Sequence, residues 1–223
     1  MTRITKVFAS ISLSLLILFA TFFYVMGWET FYAYEIKKNN ISDAVGISEE
    51  DLLPLYLVLT DYMVGKVDSI QIDTSVNGVD TPMYNQREID HMVDVKFIIS
   101  LLKRFIYALL VVLALSLFYL LRKKTDLKSI FIGQFYTTIA VFLGVIGMAM
   151  TDFNAYFIKF HQLFFTNDLW LLDPKTDRMI MLLPEVIFRD IVVVIVVGYA
   201  LVSFFMATSG TLFLLRHKKI CEV

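Results

Sequence analysis

The chain has 223 residues, of which 58% are apolar and only 18% are charged. Soluble domains average about 45–50% apolar and about 25% charged residues, so this composition excludes an ordinary soluble enzyme and a disordered chain. A net charge of −1 leaves no excess of positive charge to attract a phosphate backbone, so no nucleic acid partner is expected.

Four long apolar blocks predict a mainly α-helical integral membrane protein with four transmembrane helices. Each block is long enough to cross about 30 Å at 1.5 Å per residue. The first block is expected to stay in the protein, because bulky Trp28 and Tyr32 follow it instead of a small-residue cleavage site. The predicted segments are a first transmembrane helix (1–28), an extracellular cap segment (29–97), a second transmembrane helix (98–121), a cytoplasmic loop (122–129), a third transmembrane helix (130–150), a second extracellular segment (151–190), and a fourth transmembrane helix with a cytoplasmic tail (191–223).

The distribution of Lys and Arg predicts the orientation of these segments. Segments 1–6, 122–128 and 216–223 together hold nine of the 20 basic residues but only two of the 21 acidic residues. Because cytoplasmic loops are rich in Lys and Arg, this side is predicted to be cytoplasmic, with both termini inside. The two long segments that hold His91 and His161 are then predicted to lie outside and to form a cap.

Short helices and a small β-hairpin are predicted for the first cap segment. The Ser48–Asp51 run resembles a capping box, and apolar residues recur at helical spacing from there to Gly65. This pattern predicts an amphipathic helix that lies on the membrane. Ser69–Asp73 and Val79–Met83 are predicted strands, with Asn77–Gly78 as a hairpin turn between them.

One continuous helix is predicted from Asn85 into the second transmembrane helix. Asn85 followed three residues later by Glu88 is a second helix cap, and neither Pro nor Gly interrupts the pattern through His91. Glu88 and Asp94 then lie one turn before and one turn after His91.

Aromatic residues dominate the first half of the second outer segment. Seven of the twenty residues from 151 to 170 are aromatic, and five of them share one face of a predicted helix: Phe153, Tyr156, Phe157, Phe160 and Phe164. Such a stripe is typical of packing at a membrane interface. Around a histidine it can also exclude water and hold an acyl chain. His161 lies at helical spacing from Phe157, Phe164 and Phe165.

His91 and His161 are the main candidates for chemistry, because an imidazole with a pKa of about 6.5 can accept and return protons at neutral pH. The alternative is that each is an interfacial polar residue with a satisfied hydrogen bond. No Gly-x-Ser-x-Gly elbow occurs, and the only cysteine, Cys221, is predicted to be cytoplasmic together with His217. Catalysis without a covalent enzyme nucleophile is therefore expected.

The Glu88-x-x-His91 spacing is a candidate metal motif, since a Glu and a His three residues apart share one helical face in di-iron bundles. The position three residues before His161 is Ile158, so the motif has no second copy. No metal and no cofactor are therefore expected.

Two blocks resemble the bacterial lipoprotein intramolecular transacylase family, Lit. The blocks are Glu88–Lys96 (EIDHMVDVK) and Phe160–Trp170 (FHQLFFTNDLW), the second followed by Asp173–Pro174 and Leu183–Glu185. The length and the four-span layout are also similar. The resemblance implies that the sn-2 acyl chain of a diacylglyceryl lipoprotein moves to the α-amine of its N-terminal cysteine, which gives a lyso-form N-acyl lipoprotein. It also implies that His91 and His161 catalyse this reaction at the extracellular face of the bacterial cell membrane.

The two histidines are expected to have different catalytic roles. His161, among aromatic residues, is expected to be a neutral base, and His91, flanked by Glu88 and Asp94, a charged acid and oxyanion donor. The reverse assignment stays open. The lipoprotein substrate and membrane lipids are the expected partners, and an interfacial lipid hydrolase or a non-enzymatic membrane protein that binds a partner are the alternatives. The predicted substrate-positioning residues are Glu88, Asp94, Phe157, Phe164, Asn167 and Trp170.

Overall fold

The computed structural model describes the backbone of residues 1–221 and the side chains of residues 1–148 and 151–215. The predictions for the His217 and Cys221 side chains lie outside these described residues. The elements in chain order are α1 (Thr2–Met26), α2 (Glu29–Lys38), α3 (Ile41–Val45), α4 (Glu49–Val64), β1 (Asp73–Val76), β2 (Val79–Pro82), α5 (Gln86–Arg122), α6 (Lys128–Thr151), α7 (Phe153–Phe164), α8 (Met179–Leu182) and α9 (Glu185–Cys221).

Four helices of the described chain, α1, α5, α6 and α9, are long and apolar enough to cross a membrane. This confirms the predicted four-helix, mainly α-helical membrane architecture with a small β-hairpin. The chain divides into two compact units. The first, here called the helical unit, consists of Met1–Phe23, Lys103–Thr151 and the residues from Val192 onward, and the second, the cap unit, consists of Tyr24–Leu102 and Asp152–Ile191.

Close packing in the helical unit depends on small residues. Ser10 on α1 donates a hydrogen bond to the carbonyl of Ile130 at 3.1 Å. A Cβ at Gly133 on α6 would lie 2.5 Å from the Ser10 hydroxyl, so the two backbones can approach this closely only with glycine at that position. Small residues at helix interfaces serve this purpose in membranes, where the hydrophobic effect between helices is absent.

A buried chain of hydroxyl groups joins three helices of the same unit. Thr138 on α6 is hydrogen-bonded to Ser14 on α1 at 3.1 Å and to Ser203 on α9 at 3.0 Å. Tyr199 on α9 completes the chain through its hydroxyl contact with Ser14. Because an unpaired hydroxyl is costly in an apolar environment, these hydrogen bonds favour one register of the three helices over its alternatives.

The helix predicted after Ser48 forms as α4. The Ser48 hydroxyl accepts a hydrogen bond from the Asp51 N–H at 3.2 Å, and Gly65 ends the helix in a left-handed conformation at φ +79°. The expectation that this helix lies on the membrane stays a prediction. Leu52, Leu55, Tyr56, Leu59 and Tyr62 are buried within the cap unit. Tyr56 packs there against Tyr32 of α2, with ring centroids 5.3 Å apart. Contacts inside the protein therefore cover the apolar face.

The hairpin turn forms at Asn77–Gly78 as predicted, with positive φ at both residues. Strands β1 and β2 pair antiparallel, with Val76 opposite Val79. The prediction of the first strand at Ser69–Asp73 is wrong, because β1 occupies Asp73–Val76. A two-residue turn requires both strands to begin directly beside it, and this moves the first strand toward the turn.

Candidate active site

Helix α5 begins with the cap predicted at Asn85. The Asn85 side-chain oxygen accepts a hydrogen bond from the Glu88 N–H at 3.1 Å, and the Glu88 carboxylate accepts one from the Asn85 N–H at 2.8 Å. The helix then continues to Arg122, which confirms one uninterrupted helix through His91. His91 therefore lies on a rigid element, in the second turn of α5.

Helix α7 carries His161. The Asp152 carboxylate caps the helix by accepting a hydrogen bond from the Ala155 N–H at 3.0 Å. One turn before its end, Nδ1 of His161 lies 2.7 Å from the carbonyl oxygen of Phe157. A carbonyl oxygen can only accept a hydrogen bond, so Nδ1 carries the proton of the neutral ring. The lone pair is then on Nε2, which is the atom available to act as a base.

The two histidines share one buried site in the cap unit. Their ring centroids lie 6.3 Å apart, and the side chain of His91 is 8% exposed and that of His161 9%. Phe165 packs against both rings, with its centroid 5.1 Å from His91 and 5.5 Å from His161. Nδ1 of His91 is buried and has no hydrogen-bond partner among the described residues. No hydrogen bond to the described protein therefore fixes this nitrogen as a donor or an acceptor.

Aromatic rings enclose His161. Trp170 stacks on it with centroids 4.9 Å apart and an interplanar angle of 28°, and the Phe157 ring lies at 4.3 Å. The structure therefore brings two of the predicted positioning residues, Phe157 and Trp170, onto the histidine.

Phe164, the third predicted ring, lies elsewhere. It is 49% exposed and packs against Phe160 at 4.7 Å. Helix α7 ends at Phe164, and Phe165 follows in an extended conformation. Because the helical period stops there, Phe165 and not Phe164 lies against the two histidines. The sequence analysis placed both residues near His161, but it predicted Phe164 as the positioning residue because Phe164 shares a helical face with Phe157.

Burial keeps both histidines neutral near pH 7. The loss of water lowers the pKa of His91 to about 4; His161 lowers it further, and Asp94 opposes the shift. Burial also lowers the pKa of His161, against the effect of its hydrogen bond to the Phe157 carbonyl. The expectation that His91 is held in its charged form is therefore wrong.

The contacts of the Glu88 carboxylate explain why His91 is not held in its charged form. Its two oxygens accept hydrogen bonds from the backbone N–H groups of Asn85 and Met179. The carboxylate therefore binds backbone groups and does not form an ion pair with His91. Within the part of the chain that the structure describes, no group of three or more His, Cys, Asp or Glu residues is arranged to hold a metal ion.

The segment that follows α7 is tied to the first turns of α5. Asn167 donates a hydrogen bond to the Asp94 carboxylate at 2.8 Å, and the Asn85 side chain donates one to Asp177 at 2.7 Å. Arg87 donates to the carbonyl oxygens of Asp168 and Leu171. Sequence reasoning missed Asp177 and Arg87. The available signal was the position of Arg87, four residues before His91 and on the same helical face.

Thermal stability is expected to fall as the pH is lowered from 7 toward 4.5, and His91→Gln is expected to reduce this fall. Unfolding restores the pKa of His91 from about 4 to about 6.5, so between these values the unfolded chain binds a proton that the folded chain does not. The stability that His91 contributes is complete above pH 6.5 and is lost progressively below it, by up to about 3 kcal/mol.

Melting temperatures of the purified protein in detergent, measured at several pH values, check this prediction. His217→Gln removes a histidine elsewhere and is the matched control. An equally steep acid decline in His91→Gln and in the unchanged protein would contradict it.

Comparison with known proteins identifies the family. The family described as lipoprotein intramolecular transacylase Lit matches residues 7–188, a range that includes both histidines and the segment that joins them. The chain belongs to the Lit family. Membership makes it a membrane enzyme, an acyltransferase of the lipoprotein intramolecular transacylase type. No curated protein matches the chain.

Solved structures of a Lit protein have the same fold. The in meso structure of the membrane integral Lit from Bacillus cereus is 24% identical, covers 99% of this chain and 98% of that chain, and superposes with a TM-score of 0.82. Two structures of the Bacillus cereus protein carry one histidine replaced by arginine or by alanine. They are 25% and 24% identical, cover 99% of this chain and 95% and 96% of those chains, and have TM-scores of 0.77 and 0.78.

Proposed function

We propose that this Lit family member moves the sn-2 acyl chain of a diacylglyceryl lipoprotein to the α-amine of its N-terminal cysteine. In this proposal His161 is the general base and His91 is the hydrogen-bond donor to the oxyanion. The observation that carries it is the pair of buried, neutral imidazoles 6.3 Å apart. Catalytic groups lie about 3–3.5 Å from the atoms on which they act, so two rings at this separation are close enough to act on the amine and the ester of one substrate molecule.

His161 removes a proton from the amine. An α-amine has a pKa of about 7.7–8.0, so the nucleophilic form arises at neutral pH by loss of one proton to water, and the attacking nitrogen then needs a base to take a second proton as the amide forms. Nε2 of His161 has the free lone pair, because Nδ1 is bonded to the Phe157 carbonyl. The imidazolium that forms is stabilised by the face of Trp170, on which it is stacked.

The free amine nitrogen attacks the carbonyl carbon of the sn-2 ester while Nε2 of His161 takes one of its protons, and the carbonyl oxygen becomes an oxyanion. His91 stabilises this oxyanion as a neutral donor, since an uncharged imidazole N–H can donate a hydrogen bond to a developing negative charge. The bond between the acyl carbon and the glycerol oxygen then breaks, and that oxygen takes the proton from His161. The products are an amide on the cysteine nitrogen and a free sn-2 hydroxyl.

Amine and ester belong to the same substrate molecule, so orientation supplies much of the rate. Well-oriented intramolecular reactions gain up to about 7–11 kcal/mol in this way. Glu88, Asp94 and Asn167 contribute by positioning the histidines through the contacts described above. No acyl-enzyme is needed, which agrees with the lack of a nucleophile motif in the sequence.

The reaction takes place at the outer face of the cell membrane in this proposal, with both termini in the cytoplasm. The charge asymmetry of the loops supports this orientation. Helix α7 supports contact with membrane lipids, because Tyr156, Phe160, Leu163 and Phe164 lie on one face and are all exposed. In this proposal an acyl chain in the outer leaflet contacts the exposed face of α7, and the buried His161 lies on the same helix.

Tandem mass spectrometry of a substrate lipopeptide tests the proposal. The protein is co-expressed with a model diacylglyceryl lipoprotein, and the N-terminal lipopeptide is fragmented, beside the same lipoprotein from cells that lack the protein. We expect an acyl group on the cysteine nitrogen at unchanged total mass. A gain of one acyl chain would indicate an external donor, a loss would indicate a hydrolase, and an unchanged lipopeptide would indicate a partner-binding protein.

A further inference from the structure

The turn that carries Trp170 is a separate structural feature of the site. The Leu171 N–H donates to the Asp168 carbonyl at 3.1 Å, which closes a four-residue turn with Leu169 and Trp170 in its centre. Trp170 reaches His161 from this turn. The conformation of the turn therefore decides whether the indole covers the imidazole.

Arg87 binds the two ends of this turn. One of its nitrogens, Nη2, donates to the carbonyl oxygen of Asp168 and, at 3.0 Å, to that of Leu171. These are the first and last residues of the turn. A planar guanidinium with fixed N–H directions suits such a double contact better than a flexible ammonium does.

The position of Arg87 on α5 connects the turn to the other histidine. Arg87 lies four residues before His91, and Asp94, which accepts the hydrogen bond from Asn167, lies three residues after it. His91 thus stands on the helix between two contacts that hold the segment containing Trp170. The first turns of α5 therefore carry His91 and also hold the segment whose Trp170 packs on His161.

We infer that Arg87 is a positioning residue for acyl transfer: it holds the turn of Trp170 so that the indole covers His161 beside His91. The inference rests on the proposed function for its kinetic consequence only. Without Arg87 the turn is released, water reaches His161, and the base loses its orientation.

Fluorescence of Trp170 tests this inference in the full-length protein. The chain has two tryptophans, so Trp28→Phe leaves Trp170 as the single indole. A protonated imidazole quenches a stacked indole, and the pH midpoint of quenching reports the pKa of His161. The titratable group packed near this ring is His91 on α5, with ring centroids 6.3 Å apart, and the carboxylate of Asp94 on the same helix acts on His91. In this background Arg87→Ala is expected to shift the emission to longer wavelength and to raise the quenching midpoint toward 6.5.

Turnover of the lipoprotein substrate is the second readout. Arg87→Ala is expected to lower kcat by about 10- to 100-fold with little change in KM, because a misplacement of about 1 Å at a catalytic group can have an effect of this size. Arg87→Lys keeps a cation that can donate to a carbonyl, and it is expected to restore part of both signals. The matched control is Arg178→Ala, which removes another arginine bond to a backbone carbonyl, that of Pro82 at 2.7 Å.

Wild-type emission or wild-type kcat in Arg87→Ala would overturn the inference, as would equal losses in Arg178→Ala. If Arg87→Ala does not fold, Arg87→Lys and Arg87→Gln are compared instead, and wild-type emission and kcat in Arg87→Gln would overturn it. The fluorescence needs no substrate. A failure of the proposed function would appear as an absence of N-acyl product in the unchanged protein, with the fluorescence shift of Arg87→Ala still present.

Discussion

His91→Ala and His161→Ala are each expected to lower the rate of acyl transfer by about a hundredfold to ten-thousandfold, the range that a general base or an oxyanion donor supplies. The reason is geometric. The centroids of the two imidazoles lie 6.3 Å apart, and both residues are buried in the same site. Single-turnover rates of lipopeptide conversion, followed by tandem mass spectrometry, measure the effect.

Glutamine substitutions separate the two roles. His91→Gln retains an N–H donor for the oxyanion and is expected to keep more activity than His91→Ala. His161→Gln provides no base at neutral pH and is expected to be as inactive as His161→Ala. The opposite pattern would exchange the roles, and full activity in both alanine variants would refute histidine catalysis. His217→Ala, the third histidine, is the matched control and is expected to be fully active.

Phe165→Ala is expected to destabilise the protein by about 3–5 kcal/mol, whereas the adjacent Phe164→Ala changes stability little. Phe165 is 7% exposed and packs against both histidines, while Phe164 is 49% exposed. The cavity left by Phe165 also admits water. Because burial is the main cause of the low pKa of His91, that pKa is expected to rise from about 4 toward 6.5.

Melting temperatures and the pH dependence of turnover, measured on both phenylalanine variants, check this pair. Equal melting temperatures for Phe164→Ala and Phe165→Ala would contradict the assignment of Phe165 to the site. An unchanged acid limb of activity in a folded Phe165→Ala protein would contradict the link between this ring and the protonation of the histidines.

Local sequence patterns were sufficient for much of the fold. Four apolar blocks predicted the four long helices, and Ser48 and Asn85 predicted two helix starts to the residue. Asn77–Gly78 predicted the turn of the hairpin. Each of these features depends on residues that are close together in the sequence. Composition, hydrophobic periodicity and capping residues therefore predict them without knowledge of the tertiary structure.

The histidine pair could also be predicted, because the chain offers only three imidazoles and the charge pattern placed two of them together. The surroundings of the pair could not. Phe165 lies inside because α7 ends one residue earlier, Glu88 turns to the Met179 N–H, and Arg87 meets carbonyls more than 80 residues away. The contacts of Glu88 and Arg87 are with backbone groups, which every residue carries, so no side-chain pattern in the sequence predicts them. Their distances, and the burial that keeps both histidines neutral, exist only when the two segments of the cap unit are folded against each other.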